Sequence, residues 1–310
     1  MYNEKEILLE EYVVSYMKST YGYKELTKHI KATAQASISI EAIRDVYIAI
    51  PPSNEQIRIS KQIKEILSLI ENIDKAHVDI DNLKSLIKSK ILELAIQGKL
   101  VEQDENDEPA SVLLERIRAE KKAQLGKKYV ESYIYKGDDN CYYQKIENQE
   151  SVFVKKLDLP KGWAACSISD ISSLITTTNV QLKTKDILLE GLFPVVSQGQ
   201  ALIDGYCDEH KYAIKDIPVV LFGDHTRNVK YIDFEFVVGA DGTKIHKVHI
   251  VNPKYVYYWM LYTSAKIHNK GYARHYTLLR KECLNLPPLS EQVRIVERIE
   301  YLFSILKDED

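Results

Sequence analysis

The chain has 310 residues, 42 Lys/Arg against 45 Asp/Glu for a formal net charge of −3, and 45% hydrophobic residues. That length holds two modest domains or one large one, and the apolar content is enough to bury a real core. No segment approaches the ~20 apolar residues of a membrane helix, and the charged start Met1-Tyr-Asn-Glu-Lys-Glu6 lacks the apolar run of a secretory signal. The cysteines (Cys141, Cys166, Cys207, Cys283) show no CxxC spacing; they read as reduced thiols of a cytoplasmic protein, not as a zinc or disulfide framework.

In chain order, a strand-like run Val46–Ile50 leads into Pro51-Pro52-Ser-Asn-Glu55-Gln56-Ile57-Arg58-Ile59. Pro52 biases the residue before it to extended geometry, Ser53 is a candidate N-cap, and Glu55 places negative charge in a first helical turn. The long helix predicted from Ser53 to Gln97 carries apolar residues at Ile63, Ile66, Ile70, Ile73, Ile80, Leu83, Ile87, Ile91 and Leu94, with His77 filling the one gap. A period near 3.5 marks a coiled-coil seam, His77 on it reads as a packing or register residue, and Gly98 ends the helix. Such a rod spans roughly 65 Å at ~1.5 Å per residue. After an acidic break, Pro109 opens a second helix to Leu125.

Residues 126–156 mix Tyr, Lys, Asp and Asn without periodicity and read as a linker. Its tyrosines (Tyr129, Tyr133, Tyr135, Tyr142, Tyr143) either stack on bases or pin the linker to a surface. From Leu157 the texture changes to short strands: Ile168–Ile175, Phe193–Gly199, Pro218–Phe222, Tyr231–Val238 and Thr243–Val251, followed by a helix Pro253–Ile267. Then the opening motif returns as Pro287-Pro288-Leu-Ser-Glu291-Gln292-Val293-Arg294-Ile295, after Cys283-Leu-Asn-Leu286 and with Ser290 as candidate N-cap. At a constant offset of 236, eight of 18 positions from Pro51 to Ser68 are identical, where chance gives about one. The expected fold class is an α/β (mixed α+β) domain joined to long coiled-coil-forming α-helices.

The small net charge conceals an asymmetry. Residues 155–286 hold 17 Lys/Arg against 13 Asp/Glu, the remainder 25 against 32, and residues 226–281 hold 10 against 3 with four histidines. A basic segment in an acidic chain points to phosphate contacts, or is simply a solvated face. Within it, Gly223-Asp224-His225-Thr226-Arg227 follows an apolar strand; Arg227 has the fork for a guanine edge or a phosphate, while Gly223 and Asp224 suit a turn. Asp241-Gly242 reads as a tight hairpin turn. Lys244 and His246 share a strand face, Gln198 and Gln200 flank Gly199 in a loop, and Gln pairs naturally with adenine. Lys270-Gly-Tyr272-Ala-Arg274-His275-Tyr276 mixes basic and aromatic residues. With Lys230, these give the contact candidates Gln198, Gln200, His225, Thr226, Arg227, Lys230, Lys244, His246, Lys270, Arg274 and His275. Trp163 and Trp259 read as core anchors. No metal site is expected, and no HxE…CxxC, Walker loop, GxSxG or NPPY motif supports catalysis.

The chain resembles the specificity subunits of type I restriction–modification enzymes. The resemblance lies in both PP-x-x-EQ-x-R-I junctions and in Gln97-Gly98-Lys99-Leu100…Asp107-Glu108-Pro109-Ala110-Ser111…Leu114-Glu115. It continues in Leu159-Pro-Lys-Gly-Trp163, Val195-Val-Ser-Gln198-Gly199, Phe222-Gly-Asp-His-Thr-Arg227 and Val238-Gly-Ala-Asp-Gly242. It implies a non-catalytic DNA reader in which two target-recognition domains each read half of a split site, while long helices act as ruler and dock methyltransferase subunits. The resemblance further implies S-adenosylmethionine on the methyltransferase, a possible restriction subunit as partner, and no cofactor on this chain. Here residues 1–52 match only the tail of a first recognition domain, Val13-Val-Ser-Tyr16-Met17 aligning loosely with Tyr257-Tyr-Trp259-Met260. The expected organisation is then a helical spacer 53–125, a linker 126–156, one complete recognition domain 157–288, and the start of a second helix 289–310. The open apolar seam points to a homodimer, and a purely protein-binding helical scaffold is the alternative.

Overall fold

The computed structural model describes residues 9–28, 40–147, 149–177, 180–208, 212–239, 242–268, 271 and 273–307. They fall into two compact units, Met1–Leu83 and Lys84–Asp310, whose boundary lies inside one long helix.

The first unit holds α1 (Glu10–Lys18), α2 (Thr20–Thr27), α3 (Ile40–Arg44) and most of α4 (Ser53–Ile96). Gln56, only 1% exposed, organises it: Oε1 accepts from Leu9 N at 2.8 Å and Nε2 donates to Pro51 O at 2.8 Å. The Tyr12 hydroxyl donates to Ala49 O at 2.7 Å, and Lys64 pairs with Glu11 at 2.5 Å. Val46–Ile50 is not a strand; no neighbouring strand pairs with it among the described residues. Along α4 the predicted seam is exposed at Ile66, Ile70, Ile73, Ile80, Leu83 and Ile87, and half-buried at Ile63. Only its last turns are covered: Ile91, Leu92, Ala95 and Ile96 enter the core of the second unit, and Leu94 is half-buried.

The second unit begins with that end of α4 and with α5 (Ala110–Leu125), which buries Leu113, Leu114 and Ile117. The expected linker is instead an antiparallel sheet of β1 (Ser132–Lys136), β2 (Cys141–Ile146) and β3 (Val152–Lys156). Within each strand, successive side chains point to opposite faces of the sheet. Ile134 and Tyr142 pack with Val154, Ala165 and Cys283 on one side. Successive contacts Tyr133–Tyr135, Tyr135–Tyr143 and Tyr143–Phe153, at 5.9–6.0 Å between centroids, cross the sheet.

There follow β4 (Ala164–Cys166), α6 (Ile168–Ile171), β5 (Ser172–Leu174), β6 (Phe193–Val196), β7 (Gly205–Cys207), β8 (Ala213–Ile214), β9 (Val219–Gly223), β10 (Val229–Ile232), β11 (Phe236–Val238) and β12 (Thr243–Val248). The chain continues through α7 (Pro253–Lys266), α8 (Tyr276–Leu279), β13 (Leu284–Leu286) and α9 (Leu289–Ile305). Ile168–Ile171 is helical rather than part of a strand because Ser167 and Asp170 form a reciprocal capping box. Two four-stranded sheets, ordered β10-β9-β12-β5 and β7-β6-β11-β8, meet through Val196, Val219, Leu221, Phe236, Val238 and Ile245. On the other face of the first sheet, Val220 and Phe222 join Tyr255, Trp259 and Met260 of α7 and Ile295 and Ile299 of α9. Each such side chain contributes roughly 1.5–3 kcal/mol by leaving water.

The second copy of the repeat reproduces the glutamine, tyrosine and ion-pair contacts of the first. Gln292 accepts from Asn252 N at 2.8 Å and donates to Pro287 O at 2.9 Å. The Tyr255 hydroxyl donates to Asn285 O at 2.6 Å, as Tyr12 does to Ala49 O. Lys254 pairs with Glu300 at 2.6 Å, where the first unit has Glu11 and Lys64 with the charges exchanged. The second copy adds a buried Glu291, accepting from Trp163 Nε1 at 3.0 Å, and an Arg294 fork on Asp107 with its shorter arm at 2.6 Å. Pro288, not Ser290, takes the N-cap position of α9, and no side chain caps it.

Candidate functional site

At one end of the second unit, hydrogen bonds bring together described residues from four connections: 197–201 after β6, 224–228 after β9, Gly242 before β12, and 273–275 before α8. Asp224, 5% exposed, is the knot. Its amide donates to Gly242 O at 2.7 Å, its carbonyl accepts from His275 N at 2.8 Å, and its carboxylate accepts from Tyr276 N at 2.8 Å. The local turn at Gly223-Asp224 is closed by Arg227 N donating to Gly223 O at 2.8 Å, whereas the bonds of Asp224 itself tie in residues far along the chain. Gln198 ties the first loop in: Oε1 accepts from His225 N at 3.1 Å, and its carbonyl accepts from Thr226 Oγ1 at 2.6 Å and Asn228 Nδ2 at 3.0 Å. The fit needs Gly242, whose φ is +91° and where a Cβ would sit 2.9 Å from both Gln198 Nε2 and His225 Cδ2.

The contact candidates separate by environment. Gln200, Thr226 and Arg274 are exposed on these loops. Gln198, His225, Arg227 and Lys244 are half-buried. Arg227 holds a left-handed φ of +63° and donates from Nη1 to Ile267 O at 2.8 Å, the carbonyl that caps α7, where a cation is favoured by the helix dipole. Its guanidinium is thus partly engaged in fixing the loop. Lys244 lies 5.9 Å from the Tyr276 ring.

Three candidates need correction as direct contacts, because each is buried. His246 is 1% exposed, with Nδ1 2.8 Å from Ser172 Oγ, and burial pushes its imidazole down to about 4. The face it shares with Lys244 lies under Tyr276, whose ring centroid is 5.5 Å from its own. His275 is fully buried beside Asp224 O. Lys230, 5% exposed, donates to Ser197 O at 2.7 Å and Ala201 O at 2.5 Å. Lys270 and Asp241 lie outside the described residues. Exposed His268 and half-buried Asn228 stand on the same loops and were missed; Asn228 directly continues the run 223–227 and was findable by extending it one residue. No group of three or more His, Cys, Asp or Glu side chains suited to a metal occurs among the described residues, and no helix there is long and apolar enough to cross a membrane.

The second unit is a mixed α/β body that gathers polar and basic loop residues at one end. Residues 160–309 match the model of the type I restriction modification DNA specificity domain. Over 258 residues it is 30% identical to the type I restriction enzyme EcoAI specificity subunit of Escherichia coli, covering 74% of this chain and 41% of that protein. Over 188 residues it is 29% identical to the EcoEI specificity subunit of Escherichia coli, covering 57% and 29%. The chain therefore spans less than half the length of these relatives. In fold it is similar, with a TM-score of 0.55 at 16% identity, to a chain in a structure describing complex assembly and conformational transition of the type I R-M system, covering 96% of this chain and 64% of that one.

Proposed function

We propose that this chain reads DNA sequence for a type I restriction–modification complex and directs methyltransferase subunits, and where present a restriction subunit, to a target site. The observation that carries this reading is the loop cluster. It presents Gln200, Thr226 and Arg274 to solvent on a network of hydrogen bonds, Thr226 and Arg274 lying within the basic segment 226–281. Side chains of these types supply base-edge and phosphate contacts, and a rigid scaffold beneath them is what sequence discrimination requires. The chain works in the cytoplasm with the chromosome and contributes no catalytic group; S-adenosylmethionine belongs to the methyltransferase.

The exposed apolar seam of α4 supports the finer reading of a homodimer. Wet isoleucine and leucine are unfavourable by ~25 cal/mol per Å², and two antiparallel copies would cover the seam and give two recognition domains for a palindromic target. Fluorescence anisotropy against random-sequence duplex, titrated with salt, tests the reading. Binding should fall steeply between 50 and 200 mM salt, on the order of the ionic-strength dependence of several phosphate contacts. A chain that binds protein partners but no DNA at either concentration is the helical scaffold instead.

A further inference from the structure

Among the described residues Lys230 is the one buried lysine, 5% exposed, and its hydrogen bonds go to carbonyls rather than to a carboxylate. Standing on β10, it sends its ammonium to two backbone carbonyls, Ser197 O and Ala201 O, at the two ends of the loop Ser197-Gln-Gly-Gln-Ala201. The nearest influential carboxylate, Asp204, acts only at longer range; burial dominates and draws the ammonium below the ordinary lysine range. Keeping a cation in such a place is costly unless hydrogen bonds compensate. Both of its compensating bonds close one loop. The same loop is also held by neutral bonds that Gln198 accepts from His225 N, Thr226 Oγ1 and Asn228 Nδ2. Gln200, exposed on this loop, makes none of these hydrogen bonds, so the course of the loop governs where it stands.

We infer that Lys230 is a positioning residue for sequence discrimination: it fixes the 197–201 loop from within so that Gln200 is held at a defined place against the DNA. The inference rests on the proposed DNA-reading role of the loop cluster. Lys230 itself touches neither base nor phosphate, which separates it from the surface lysines whose loss weakens all DNA alike.

A double-mutant cycle tests it, using the duplex that the wild-type chain selects from a randomised pool and a scrambled duplex of equal length. Lys230→Met keeps the apolar stem and removes the ammonium. It should lower the affinity ratio of selected to scrambled duplex by about tenfold or more, while leaving the salt slope unchanged. Gln200→Ala should lower that ratio in the wild-type background and add little in the Lys230→Met background, because the loop no longer presents it. Should Lys230→Met fail to fold by circular dichroism, Lys230→Gln, which keeps a donor in the same place, carries the test with a smaller expected loss. Full additivity of the two substitutions, or a salt slope reduced by about one with discrimination intact, would overturn the inference. A wild-type chain that enriches no sequence from the pool would instead refute the DNA-reading role on which it rests.

Discussion

His246 shows how a residue chosen for its charge can owe its place to losing it. Enclosed between Ser172 and Tyr276, its imidazole has a pKa pushed down to about 4 by burial, against 6.5 in an open chain. The unfolded chain therefore takes up a proton from about pH 6.5 downward and the folded chain only near pH 4, so stability rises with pH across that window and is lost as pH falls through it. The contribution is about 3 kcal/mol when fully expressed. Thermal unfolding from pH 7 to pH 4 should show the decline, and His246→Gln should flatten it; an unchanged slope would mean other groups carry the acid sensitivity. Arg274 and Arg227 differ in the same spirit. Exposed Arg274 is free to meet a phosphate, so Arg274→Ala should weaken binding to all duplexes and reduce the salt slope by about one. Arg227→Ala removes the contact to Ile267 O and should also lower the melting temperature, which Arg274→Ala should not. Equal melting temperatures for the two variants would show that the Arg227 contact is incidental to the loop.

At the scale of elements, the two PP-x-x-EQ junctions are one device used twice. The glutamine bridges its own proline carbonyl to the N-terminus of an upstream helix, and a tyrosine on that helix reaches back to the residue two before the first proline. This explains why Gln56 and Gln292 recur where a surface helix would tolerate any polar residue. Gln292→Leu strands two buried backbone groups and should cost about 2–4 kcal/mol, read as a lower unfolding midpoint in urea; a loss below about 0.5 kcal/mol would show that water replaces the bonds. The repeat, the long helix, the strands at 193–196, 219–223 and 243–248 and the helix 253–266 were legible because each announces itself by identity, by an apolar run or period, or by capping residues. The sheet of residues 132–156 was not, because its strands mix tyrosine, lysine and aliphatic residues without a steady apolar alternation. Within the site, the basic and glutamine-bearing loops could be found from sequence. Which members face inward could not, since burial of Lys230, His246 and His275 is decided by Asp224, Tyr276 and loop 197–201, far from them in the chain.

For the whole molecule, the exposed seam of α4 and the loop cluster make separate demands. The seam asks for a partner, and light scattering at micromolar concentration should report a dimer of the 35.7 kDa chain that Ile70→Lys disrupts. A monomer indifferent to that substitution would leave the seam to the methyltransferase. The loop cluster asks for DNA, and its consequence is best read in a cell. Methylome sequencing of cells carrying a type I methyltransferase subunit, with and without this chain, tests that claim most directly. The account predicts one defined sequence motif methylated only when the chain is present, and changed or lost with Gln200→Ala. Identical methylation with and without the chain would contradict it.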